Sequence, residues 1–150
     1  FFFFKQKTAY EIQLGDWSQT CALPIYPVAC AASLKLIDVM KKEDYPAKAM
    51  KIGAKVTEAF KEWQKKYKVI GDVRGVGAML GVEFVKDLET KEPNAELVNK
   101  IVSEATKKGL LLEAAGTYGN VIRFLCPLCV TDEQLEKGLE IYEETLAQCL

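Results

Sequence analysis

The sequence predicts an α+β domain in which helices cover one face of a short, mainly antiparallel sheet. Three observations carry that prediction. Four segments place apolar residues at helical i+3/i+4 spacing. Four shorter segments, rich in Val, Ile, Leu and Phe, read as strands. A glycine-rich turn at Gly75-Val76-Gly77 joins the first two strands as a hairpin with a loop or bulge.

The first helix runs from about Pro27 to Lys42, with Pro27 in the first turn, where its missing N–H costs nothing. The second follows Asp44, which reads as its N-cap. It carries Met50, Gly53, Val56, Phe60, Trp63 and Tyr67 as one apolar stripe. Strands Val69 to Arg74 and Met79 to Val85 flank the hairpin turn, and polar Lys86 to Glu92 leads on from them. A third helix begins at Pro93-Asn94, carries Leu97, Val98, Ile101, Val102 and Ala105, and stops at Gly109. Strands Leu110 to Ala114 and Val121 to Leu125 are linked by Gly116 to Asn120. Thr131 and Gln134 then form the capping box of a fourth helix carrying Leu135, Leu139, Tyr142 and Leu146. A sheet covered on one face leaves the other for a partner surface, which suits a subdomain docked on something larger.

A length of 150 residues argues for one domain with one core. With 49% hydrophobic and 27% charged residues the class is soluble globular. A net charge of -1 argues against nucleic acid or an anionic membrane as partner. No apolar run approaches the ~20 residues that span a bilayer, and Phe1 to Phe4 before Lys5 lack the features of a signal peptide. Five cysteines without a secreted framework point to a reducing, cytoplasmic setting. Histidine is absent, which removes His-based triads, His-ligated zinc and imidazole bases together. Proton transfer would fall to Lys, Tyr, Cys or a carboxylate.

Residues 1–25 differ from the rest. They show no sustained period and join abruptly to a clean amphipathic pattern at Pro27. Lys5 to Glu11 and Asp16 to Ile25 can be written as the two flanks of a sequencing-adapter oligonucleotide, with Ile12 to Gly15 spanning its variable index. On this reading the biological sequence begins at about Tyr26, what preceded it is missing, and Trp17 and Cys21 belong to no site.

Several motifs invite chemistry. Cys126-Pro127-Leu128-Cys129 is a CxxC, but Thr131 caps the helix beyond it and no further zinc ligands accompany it, so coincidence is the better reading. The glycines from Gly75 to Gly81 lead into a strand, not a helix, and so lack the phosphate-binding context. Arg74 beside Asp72 reads as a structural pair. Lysines 41, 42, 65, 66, 107 and 108 sit at helix ends and read as solvated charge, none in a context expected of a Schiff-base lysine. Arg123 stands in the otherwise apolar strand Val121 to Leu125, on the face of Val121 and Leu125. A guanidinium there must pair internally, with Glu113 the near candidate, or bind an anion such as a carboxylate. Spacing alone leaves both readings standing.

Four strings carry a family resemblance. PVACAASLKLIDVM (Pro27 to Met40) resembles the helix after the Gly-Asn-Pro motif of class III pyridoxal-phosphate-dependent aminotransferases. IGDVRGVGAMLGVEFVKD (Ile70 to Asp87) resembles their Asp-Val-Arg-Gly hairpin. KKGLLLEAAGTYGNVIRFLCPL (Lys107 to Leu128) and VTDEQLEKGLEIYEETL (Val130 to Leu146) resemble their C-terminal end. GTYGNVIR, with KEPNAELV at Lys91 to Val98, is more similar to the bacterial 4-aminobutyrate branch than to the ornithine or acetylornithine branches.

The resemblance implies a type I pyridoxal-phosphate fold, with residues 26–150 as its small C-terminal domain. It implies transamination between 4-aminobutyrate and 2-oxoglutarate, giving succinate semialdehyde and glutamate. It implies that Arg123 grips a substrate carboxylate, with Gly119 and Asn120 shaping the loop beside it. Pyridoxal 5'-phosphate and the lysine that carries it belong to the missing large domain. No bound cofactor and no activity are therefore expected of this chain alone. The intact protein is expected to be a homodimer or higher homo-oligomer acting on small amino and 2-oxo acids. Two departures stand out: Tyr26 replaces the Asn of Gly-Asn-Pro, and Cys126 replaces the first proline of the family's Pro-Pro-Leu. An aminotransferase for another ω-amino acid, or a stand-alone α+β ligand-binding module, are the competing expectations.

Overall fold

The computed structural model describes residues 26–150, so the adapter-like reading of residues 1–25 lies outside the described part. The chain falls into two compact units divided between Glu43 and Asp44. In the first, helix α1 spans Pro27–Lys42, opens with its proline and ends on Lys41 and Lys42.

The second unit is the α+β layer structure. Helix α2 (Tyr45–Lys66) starts at Asp44, whose φ of 47 is left-handed and whose Oδ1 accepts from the Ala47 N–H at 3.3 Å. Its buried stripe is Ile52, Gly53, Val56, Phe60 and Trp63. Met50, expected on that stripe, is 58% exposed. At 100° per residue it lies about 120° around the helix from the stripe's centre.

Strands β1 (Ile70–Val76) and β2 (Met79–Phe84) form an antiparallel hairpin closed by Gly77 and Ala78. Gly77 has a φ of 56 at the first loop position, where a two-residue hairpin turn favours glycine. Helix α3 (Ala95–Lys107) is capped by Asn94, whose Oδ1 accepts from the Leu97 N–H at 3.2 Å. It ends in a Schellman motif: the Gly109 N–H donates to the Thr106 carbonyl at 3.0 Å and the Leu110 N–H to the Ala105 carbonyl at 2.9 Å. Leu110 is thereby occupied. The next strand, β3, is only Glu113–Ala115, shorter and later than the expected Leu110 to Ala114. Strand β4 (Val121–Leu125) matches its expected span. Helix α4 (Asp132–Cys149) opens with both bonds of the Thr131/Gln134 capping box.

The sheet order is β1-β2-β4-β3, antiparallel throughout. Ile70, Leu80, Val82, Phe84 and Ile122 are buried in one core with Val56, Phe60, Val98, Ile101 and Leu146 of the helices. Phe60, Trp63, Phe124 and Tyr142 meet there edge-on or tilted, with ring centroids 5.2–5.9 Å apart.

The Tyr142 side chain is buried, and its hydroxyl has no hydrogen-bond partner among the described residues. Burial alone pushes its phenol pKa up. An orphaned polar group costs about 1–3 kcal/mol, whereas the ring packing survives loss of the oxygen. Tyr142→Phe is therefore expected to stabilise the chain by about 1 kcal/mol. A lower urea midpoint for the variant would show that the hydroxyl is satisfied after all.

Candidate functional site

Alternation along the strands sends one set of side chains away from the helices. Register then aligns Arg74 of β1, Gly81 of β2, Arg123 of β4 and Glu113 of β3 in one row across that exposed face. Met79 and Leu125 pair beside this row and are 59% and 57% exposed. The face thus joins an apolar margin to two guanidinium groups.

The two arginines are held differently. Arg74 donates through Nη1 to Asp72 Oδ2 at 2.8 Å and to Glu83 Oε2 at 2.6 Å. Sequence suggested the Asp72 pair, and pairing of β1 with β2 adds Glu83. These carboxylates raise the Arg74 pKa, Asp72 most. Arg123 donates from Nε and Nη2 to one oxygen of Glu113, at 3.2 and 2.6 Å. The internal pair considered from spacing is therefore present. It occupies the Nε side of the guanidinium, and among the described residues nothing engages Nη1. Both partners are part-exposed, so the pair itself contributes little to stability.

Gly116 to Asn120 shapes the approach to β4. Gly116 and Gly119 take φ values of 85 and 65, and the Gly119 N–H donates to the Gly116 carbonyl at 3.1 Å. Tyr118 is left exposed at the tip. The buried Asn120 turns inward: Nδ2 donates to the Phe84 carbonyl at 3.0 Å, and its own carbonyl accepts from the Phe84 N–H at 2.7 Å. It ties the loop to the end of β2. Arg123 and the loop are brought together, with Arg123 offering an open donor, Gly119 supplying the bend and Asn120 the anchor.

Other motifs stay structural. Burial pushes the Cys126 thiol pKa up, the reverse of what an activated thiolate needs. The described residues hold no cluster of three metal-ligating groups and no helix long and apolar enough to cross a membrane.

The described residues do not fit the pyridoxal phosphate that the resemblance implies. That group needs a lysine opening onto an enclosed, anion-binding pocket. A concavity of about 670 Å³ is an open groove between α2 and the hairpin. It sets Lys61 and Lys65 among Glu58 and Glu62, carboxylates that oppose a phosphate. The Lys108 ammonium, buried at the end of α3, faces Glu144 at 3.6 Å.

Comparison with known proteins bears on family and fold. The class-III aminotransferase family model matches residues 4–146, a span that begins inside the adapter-like segment. A 5-aminovalerate aminotransferase of Pseudomonas aeruginosa is 47% identical over 123 residues, 82% of this chain and 28% of that protein. A 4-aminobutyrate aminotransferase of Escherichia coli is 40% identical over 123 residues, with the same shares of 82% and 28%. Among solved structures, a PLP-bound amine transaminase from an uncultivated Pseudomonas species superimposes with a TM-score of 0.74 at 33% identity, covering 83% of this chain and 28% of that one. The chain thus spans about 28% of the length of each of these three relatives. The chain belongs to the class III aminotransferase family.

Proposed function

We propose that residues 26–150 are the C-terminal small domain of a pyridoxal-phosphate-dependent aminotransferase. In this reading the intact enzyme transfers the terminal amine of a short ω-amino acid to 2-oxoglutarate. With 4-aminobutyrate the products are succinate semialdehyde and glutamate. The observation that supports it best is Arg123: family motif, exposed face, and a guanidinium whose Nη1 is left open while Glu113 steadies the Nε side. Such a fork suits a carboxylate.

Pyridoxal phosphate would supply the electron sink for the reaction and would sit in the large domain, together with its lysine. The chain on its own is then inactive. The intact protein would work as a cytoplasmic homodimer or larger homo-oligomer on small amino and 2-oxo acids, with no nucleic acid or membrane partner. A second donor, 5-aminovalerate, is favoured by the 47% identity of its aminotransferase against 40% for the 4-aminobutyrate enzyme. The two donors differ by one methylene, worth roughly 10–200-fold in a fitted pocket.

The test compares kcat/KM for both donors with 2-oxoglutarate, using the intact enzyme and the 150-residue chain, each with added cofactor. The intact enzyme is expected to turn over at least one donor and the chain neither. Turnover by the chain alone, or an intact enzyme inert toward both donors, would sink this reading. An isolated chain that is monodisperse and binds an amino acid would favour a stand-alone ligand-binding module instead.

A further inference from the structure

Gly81 lies in the interior of β2, paired with Arg74 on one side and Arg123 on the other. A strand interior is a poor place for glycine, which costs conformational entropy and brings no side chain to pack. Neither usual reason for keeping one applies here. The described glycines with positive φ are Gly75, Gly77, Gly109, Gly116 and Gly119, so backbone conformation does not demand glycine at position 81. Space does not demand it either. A Cβ there would meet only Val121 Cγ1 at 3.4 Å and the Arg74 carbonyl oxygen at 3.9 Å, both ordinary contacts. Gly53 and Gly75 differ sharply, since a Cβ on either would strike backbone within 2.1–2.2 Å.

The missing side chain therefore answers to something outside the described residues. On the exposed face Gly81 is flanked along β2 by Met79 and Glu83 and across the sheet by Arg74 and Arg123, all long side chains. It is the gap among them, directly across from Arg123 in the β2–β4 register.

We infer that Gly81 is a specificity-determining position: the gap admits a carboxylate of the 2-oxo diacid to the open end of Arg123. This rests on the carboxylate-binding reading of Arg123 above. A side chain at position 81 would stand in the approach, while a β-branched one would suit the strand. Folding and binding should then respond in opposite directions, which a structural role for Gly81 does not produce.

The experiment uses the intact enzyme with Gly81→Ala, Gly81→Val and Arg123→Ala. Gly81→Val is expected to unfold at the same temperature or higher, yet to raise KM for 2-oxoglutarate about tenfold or more. Gly81→Ala should fall between it and the parent, and KM for the amine donor should stay within about twofold in both. An unchanged 2-oxoglutarate KM in a stable Gly81→Val enzyme overturns the inference, as does an equal rise for the donor. Should Gly81→Val not fold, Gly81→Ala decides: a KM rise of about twofold or more supports the inference and none overturns it. Arg123→Ala separates the two levels. If it leaves the 2-oxoglutarate KM unchanged, the carboxylate reading itself fails. If it raises that KM and the Gly81 series does not, only the role of Gly81 falls.

Discussion

Replacing Arg123 with alanine in the intact enzyme is expected to weaken use of 2-oxoglutarate by on the order of a hundredfold in kcat/KM. The magnitude follows from the bond type. A charge-assisted, two-pronged contact to a carboxylate is worth about 3 kcal/mol once a closing site excludes water, and 1.4 kcal/mol is a factor of ten. The fold should hardly notice. The only described partner of Arg123 is Glu113, and an exposed pair of that kind contributes about 0–1 kcal/mol. Kinetic loss with an unchanged unfolding midpoint is the expected signature. Arg123→Lys should recover only part of the loss, because an ammonium is a point charge without the planar fork. An alanine variant with parental 2-oxoglutarate kinetics would remove Arg123 from the site.

The second large effect concerns stability and runs against helix propensity. Gly53 lies inside α2, where alanine is intrinsically better by about 1 kcal/mol. A Cβ at that position, however, would lie 2.1 Å from the Gly77 carbonyl oxygen and 2.4 Å from its carbon. Here the helix packs directly on the backbone of the hairpin turn, with no flexible side chain to give way. Overpacking costs about 1–3 kcal/mol and more where backbone must move. Gly53→Ala is therefore expected to lose about 2–3 kcal/mol net, read as a lower urea midpoint of the chain. Gly138, inside α4, is the matched control. Its Cβ would meet nothing nearer than Leu110 Cδ1 at 3.8 Å, so alanine there should gain about 0.5–1 kcal/mol. Two glycine-to-alanine changes of the same sign would show that packing against the turn is not what distinguishes them.

Local signals were legible in the sequence where the chemistry is itself local. Asp44, the Thr131/Gln134 box and Gly109 as a helix stop all act within a few residues, and each lies where spacing placed it. The hairpin is present but turns at Gly77-Ala78, because Gly75 and Val76 still pair with Leu80 and Met79. Errors arose where a neighbour competed. Leu110 reads as strand, but its N–H closes the end of α3, which delays β3 to Glu113. Met50 has stripe-like spacing to Gly53 alone and falls off the face that Val56, Phe60 and Trp63 define.

The candidate site was half legible for the same reason. Arg123 stood out as a charge in an apolar strand, and Glu113 could be named as a partner because a short turn separates them. The alignment of Arg74 and Gly81 beside them depends on β2 pairing with β4 across an intervening helix, and register of that kind is set by tertiary packing. Asn120 carried a family role near the substrate. What the structure adds is a bond inward, from Asn120 Nδ2 to the Phe84 carbonyl, which fastens the loop to β2.

The sheet order also sets a schedule for synthesis. Strand β2 finds its central neighbour only when β4 arrives, and the Asn120 to Phe84 clamp that joins them spans 36 residues of chain. Translation proceeds at roughly 5–20 residues per second, so one edge of β2 stands unpaired for a few seconds as the ribosome completes α3 and the glycine loop. During that interval, of the helices in this α+β unit, only α2 is complete to shield Leu80, Val82 and Phe84. The close seat of the hairpin turn on Gly53 is already available then, because both lie upstream of the delay. The contact that makes position 53 intolerant of a methyl group in the finished domain is thus also the one that can guard the nascent half-sheet from pairing with another chain.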